Sequence, residues 1–294
     1  MNFKKVFGFA AVAALSVAAL AACAPSSSSS SSEDSANTIK VGIMTQTDAT
    51  EPLWEKVSEN AKKEGLTLEF VEFTDYSQPN KALANGEIDV NAFQHYNFLN
   101  NWNTENNGDL VAAADTLISP LRIFSGLDGE KAKYTDISEL PDGAVVSVPN
   151  DVTNESRALY LLQAAGLIKL DVSGEELATI TNIVENPKNL DIKELDASQT
   201  AATRTSVDAA IINNNYAVDA GVDYATVLFK EEITAESKQW VNVIAAQKDW
   251  ESSDKADTIK ILIKAYQTDE VAQILSDASN GVDVPAWEGA PTVE

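Results

Sequence analysis

Two hydrophobic periods alternate along this chain. Ile39, Val41 and Ile43 recur at every second position through residues 39–44, as in a strand with a covered face. Leu53, Trp54, Val57 and Ala61 then recur at helical spacing over residues 51–63, and Gly65 marks the stop. Leu66, Leu68 and Phe70 return to alternation. A strand, helix, strand succession predicts a parallel sheet with helices on its faces. The pattern goes on with a short helix opened by Pro79 and closed before Gly86, and a brief buried strand at 88–92. A helical stripe follows at Phe98, Leu99 and Trp102, then a strand at 110–118. Ser119-Pro120 punctuates the chain before 121–125.

At Asp142-Gly143 the pattern starts again: a strand at 144–148, a polar turn at 150–154 and a helix at 155–165 ended by Gly166. Further strands are predicted at 192–195 and 207–212. A strand at 240–246 leads back to the first half, and amphipathic helices at 255–267 and 269–278 close the chain. Such a restart predicts an α/β protein of two lobes, 38–121 with 243–294 as lobe 1 and 122–242 as lobe 2. At least two crossings join them, and the cleft between is where small solutes are usually held.

The first residues change the picture in another way. Lys4 and Lys5 precede an Ala, Val and Leu run over 6–19 that is too short to span a bilayer, so 1–22 reads as a targeting leader. It closes on Leu20-Ala21-Ala22-Cys23, which resembles a bacterial lipobox, and Cys23 is the only cysteine. Residues 23–37 then form a serine-rich tether with a mean span of roughly 20 Å. Without Lys4 and Lys5 the chain keeps 19 basic against 45 acidic residues, a net charge of −26. Nucleic acid and an anionic membrane surface are poor partners for such a field, and a zwitterion or neutral solute suits it better than an anion.

Candidate chemistry gathers at 75–102, which holds the only histidine, His95, among polar residues that interrupt a good core. Phe93 and His95 fall at the C-terminal end of a predicted strand, where ligands bind in open α/β sheets. From pattern alone, a satisfied structural histidine is the plainer reading. Arginine is scarce, with Arg122, Arg157 and Arg204 against 18 lysines. Arg157 is predicted in the first turn of its helix, where a guanidinium beside free N–H groups would suit a carboxylate; a solvated surface arginine is the alternative. Asn213 begins a run of three asparagines after an apolar strand, and Asn242 interrupts another. For Asn214 and Asn215, turn or capping chemistry is favoured.

Tyr76-Ser77-Gln78-Pro79-Asn80, followed by Ile88-Asp89-Val90-Asn91-Ala92-Phe93-Gln94-His95, closely resembles the methionine-binding lipoproteins of the MetQ (NlpA) family, solute receptors of bacterial ABC importers. The likeness continues at Val148-Pro149-Asn150-Asp151 through Arg157, Glu185-Asn186-Pro187-Lys188-Asn189-Leu190, Ile212-Asn213 and Val241-Asn242. It implies a two-crossover, type II-like periplasmic-binding-protein fold. Arg157, Asn213 and Asn242 would grip the amino-acid backbone, while Tyr76, Phe93 and His95 would line the side-chain pocket. It further implies a monomer lipid-anchored at Cys23 on the extracytoplasmic face of the cell membrane, with no metal or cofactor, delivering methionine to a permease and its ATPase. One position departs: the family commonly shows His-x-Pro-Tyr where this chain has His95-Tyr96-Asn97-Phe98, so a pocket hydroxyl is missing at Phe98. That leaves L-methionine, its D-form and a methionyl dipeptide open.

An enzyme is poorly supplied. One histidine, no G-x-S-x-G and no H-E-x-x-H starve both the nucleophilic and the zinc readings. The remaining alternatives are a surface lipoprotein used for adhesion or scaffolding, though no repeats support it, and a receptor for another small amino acid or peptide.

Overall fold

The computed structural model describes residues 37–173 and 176–292. The predicted leader, Cys23 and all but the last residue of the tether lie outside them. The first sheet is built from β1 (Thr38–Met44), β2 (Thr67–Phe73), β3 (Val90–His95) and β4 (Val111–Asp115), with helices α1 (Glu51–Lys63), α2 (Pro79–Ala84) and α3 (Tyr96–Asn106) between them. A short β5 (Leu117–Ile118) leads across to β6 (Arg122–Ser125) in the second sheet. That sheet continues with β7 (Val145–Pro149), α4 (Val152–Ala164), β8 (Asp191–Leu195), β9 (Ala209–Ile212), α5 (Asn214–Asp219) and β10 (Val227–Lys230). The chain then recrosses to β11 (Asn242–Ala246), α6 (Ala256–Tyr266), α7 (Asp269–Ala278) and β12 (Val284–Pro285).

The two sheets share one plan. The orders are β2-β1-β3-β11-β4 and β8-β7-β9-β6-β10. In each, three parallel strands are followed by a strand that has just crossed over and runs antiparallel to them, β11 in the first and β6 in the second. This exchange is the two-crossover arrangement that the family resemblance implies, built on the two lobes that the restart in the hydrophobic pattern predicts.

Both sheets are covered on both faces, which explains strands that read as nearly continuous apolar runs. Side chains from successive strand positions enter opposite cores. Ile211 and Ile123 pack with Leu159 and Leu162, while Ala210, Ile212 and Phe124 pack with Tyr216 and Ala217. In the first sheet Ile39, Val41 and Ile43 meet Trp54, Val57, Leu262 and Tyr266 on one face, and Leu83, Ile88, Leu99 and Val243 fill the other.

Some boundaries differ from the sequence expectation, each for a local reason. The strand expected at 88–92 runs later, to His95, because β11 pairs with it up to Asn242 opposite His95. The strand expected at 110–118 breaks at Thr116, whose N–H turns to Asn242 O at 2.8 Å while β5 pairs with β12 instead. The helix expected at 155–165 begins at Val152, because Asp151 caps it by accepting from Asn154 N–H at 3.0 Å.

Candidate functional site

The early start of α4 moves Arg157. It lies in the second turn rather than the first, and the Asp151 cap already takes a terminal N–H, so the expected pairing of guanidinium with free helix amides does not form. The side chain is buried, at 4% exposure, and stacks over Trp240 at 4.9 Å. Glu231 grips it through Nε at 3.0 Å and Nη2 at 2.5 Å, and the second Nη2 hydrogen goes to Ser119 O at 3.0 Å. Arg157 is thus fastened to both crossing segments, and Nη1 donates to no protein atom among the described residues.

His95 occupies the junction of β3 and α3. Its Nδ1 accepts from Phe98 N–H at 3.0 Å, capping α3, so the proton sits on Nε2, which faces Asn154 Oδ1 at 3.4 Å. Burial, with the positive charge of Arg157 nearby, lowers its pKa to about 3. The imidazole is therefore neutral. Its contribution to stability is complete above its unfolded value near 6.5 and drains away as pH falls toward 3. The imidazole Cε1–H resonance is expected to stay flat between pH 5 and 8 in NMR titration; a midpoint inside that range would contradict this account.

Across the gap, Asn213 Nδ2 donates to the same Asn154 Oδ1 at 2.9 Å, while Asn154 Nδ2 donates to both Asp151 oxygens at 3.0 Å. This chain of amides aims Asn213. Its Oδ1 is buried with no hydrogen-bond partner, and so is Asn215 Nδ2. Buried polar atoms left this way are uncommon and costly.

Rings close the other side. Tyr76 lies 5.9 Å from Phe93 and 6.0 Å from Phe98, and Phe98 meets Phe93 edge-on at 5.7 Å. Trp240 stands perpendicular to His95 at 5.0 Å. Tyr76 Oη donates to Asn215 Oδ1 at 2.5 Å, so the first sheet's aromatic wall is bonded to the second sheet's asparagine run.

Tyr76, Phe93, His95, Phe98 and Asn242 from the first sheet's side, with Arg157 and Asn213 from the second's, all line one cavity of about 170 Å³. Asn242 opens β11 rather than interrupting it, and is half-buried. Other residues escaped the sequence reading. Asn214 and Asn215 do not serve a turn or cap as expected: Asn214 Nδ2 donates to Asp283 Oδ1 at 2.7 Å and Asn215 meets Tyr76. Asp283, whose pKa burial raises to about 6, also accepts from Ser119 Oγ. Glu231, 74 residues from its partner, carries no local signal at all. Among the described residues no group of three His, Cys, Asp or Glu side chains is placed to hold a metal ion, and no helix is long and apolar enough to cross a membrane.

Two lobes exchanging strands, with a polar and aromatic cavity between them, have the architecture of a two-lobe solute-binding protein. The chain belongs to the NlpA lipoprotein family, whose model matches residues 39–287. It is 40% identical over 279 residues to outer membrane lipoprotein 1 of Mannheimia haemolytica, covering 93% of this chain and 95% of that one. To the D-methionine-binding lipoprotein MetQ of Escherichia coli K12 it is 39% identical, over 85% and 89% of the two chains. Among solved structures, the substrate binding protein of a methionine transporter from Streptococcus pneumoniae superposes with a TM-score of 0.83 at 59% identity, covering 85% of this chain and 96% of that one. A nutrient binding protein from Burkholderia cenocepacia bound to methionine gives 0.76 at 38% identity, covering 85% and 100%.

Proposed function

We propose that the protein is an extracytoplasmic receptor, anchored through acylated Cys23, that captures methionine or a close relative between its lobes. It delivers this cargo to a membrane permease driven by an ATPase. In this reading residues 38–121 with 243–294 form one lobe and 122–242 the other, and the protein works as a monomer.

The observation that carries the reading is the convergence of Arg157, Asn213 and Asn242 with Tyr76, Phe93, His95 and Phe98 on one cavity. Arg157 Nη1, left without a protein acceptor among the described residues, would donate to the ligand's carboxylate. The unpartnered Asn213 Oδ1 is an acceptor suited to an ammonium, and Asn242 adds an amide able to serve either group. The rings offer edges to a thioether, with which sulfur packs favourably. The names of the relatives support methionine as the solute.

Calorimetry and thermal melting with L-methionine, D-methionine and a methionyl dipeptide test this. A ligand at a thousand times its Kd adds about 4 kcal/mol to a protein it binds only when folded. At 2–4 °C per kcal/mol for a chain of this size, that raises Tm by roughly 10 °C. No shift with any of the three at millimolar concentration would sink the proposal.

A further inference from the structure

The charges around the cavity carry an additional inference, which rests on the reading above for the ligand's carboxylate. Arg157 is the one lysine or arginine among the lining residues, and its charge is already answered by the two-point grip of Glu231. Glu231 is itself fixed. Its Oε2 accepts from Leu121 N–H at 2.9 Å, and its own N–H donates to Leu121 O at 2.9 Å. No other lining group adds positive charge: His95 is neutral, and Asp219 and Asp283 are carboxyls whose pKa values burial raises. Arg122 is buried behind the lining and interacts with Asp283 and Glu231 rather than lining the cavity, so the lining itself offers hydrogen-bond donors to a carboxylate with no net positive charge of its own.

We infer that Glu231 is a specificity-determining residue: by cancelling the charge of Arg157 from behind, it makes the cavity take zwitterions and reject anions. A solute carboxylate beside an unpaired buried guanidinium would gain the whole Coulomb attraction. Beside the Arg157–Glu231 pair it gains little beyond the hydrogen bonds to Nη1, and the solute's own ammonium, attracted by Glu231, tips the balance.

The test is calorimetry with three probes that share one thioether tail: L-methionine, the anion 4-(methylthio)butanoate and the cation 3-(methylthio)propylamine. In Glu231→Gln the affinity for the anion relative to L-methionine is expected to rise on the order of tenfold, the effect of removing a unit charge at about 10 Å in an effective dielectric near 20. Relative affinity for the cation should fall. Glu231→Asp, which keeps the charge, is expected to keep the wild-type order and shows that the position tolerates change. If all three affinities fall together in Glu231→Gln, the residue is a mere prop and the inference is overturned. Unchanged ratios overturn it equally. A wild-type protein that ignores L-methionine overturns the proposed function itself, and this inference with it.

Discussion

Arg157→Ala is expected to abolish methionine binding. Two charge-assisted hydrogen bonds from Nη1, at about 1.5–3 kcal/mol each, translate into a loss of at least about a hundredfold in Kd. The substitution also strands Glu231, which keeps Leu121 N–H but loses its counter-ion. Breaking a buried pair from one side destabilises by about 3–5 kcal/mol, less here because the Glu231 side chain is 16% exposed. A fall in Tm is therefore expected alongside the binding defect. The double variant Arg157→Ala with Glu231→Gln removes the stranded charge, so its binding can be read on a well-folded protein. Either variant binding L-methionine within threefold of wild type by calorimetry would refute the carboxylate role of Arg157.

The second large effect is expected at Asn80→Ala, one residue behind the cavity lining. Asn80, Asn91 and Gln94 are at most 2% exposed and bond one another in a closed set. Asn80 Nδ2 donates to Gln94 Oε1 at 2.7 Å, and Asn80 Oδ1 accepts from Asn91 Nδ2 at 2.9 Å and Gln94 Nε2 at 2.5 Å. Only Gln94 Nε2 keeps a second partner, Asn91 Oδ1 at 2.9 Å. Truncating Asn80 leaves two buried amide groups short of bonds at about 1–3 kcal/mol each, and Tm should drop on the order of 10 °C. The exposed neighbour Asn85→Ala should move it by less than about 2 °C. Equal melting of the two variants would show that the amide set contributes nothing. The set locks α2 onto β3, and so holds Phe93 and His95 where the cavity needs them.

These amides also show how far the chain could be read unaided. That polar residues interrupt the core around 75–95 is legible, and so is the helix at 51–63, because its apolar stripe and following glycine are local signals. The candidate ligand-binding residues stand out through matches of motif and through scarcity of type, and all of them line the cavity. What stayed hidden depended on partners distant in the chain. The first-turn position expected for Arg157 fails because Asp151 caps the helix and starts it at Val152, where the polar residues 150–154 suggest only a turn. Asn215 read as turn chemistry because nothing near it in sequence announces Tyr76, 139 residues away. Glu231 is one acid among 45, and only the fold singles it out.

The exchange of strands between the sheets has a bearing on how the chain folds. Every strand of the second sheet lies between residues 122 and 230, so that half can assemble from one continuous stretch. The first cannot: β11, which must slot between β3 and β4, is nearly the last strand to be made, and until it arrives those two neighbours present open edges. A chain emerging from its N-terminus can therefore complete its second sheet before its first, with β3 and β4 joined only once β11 has been made.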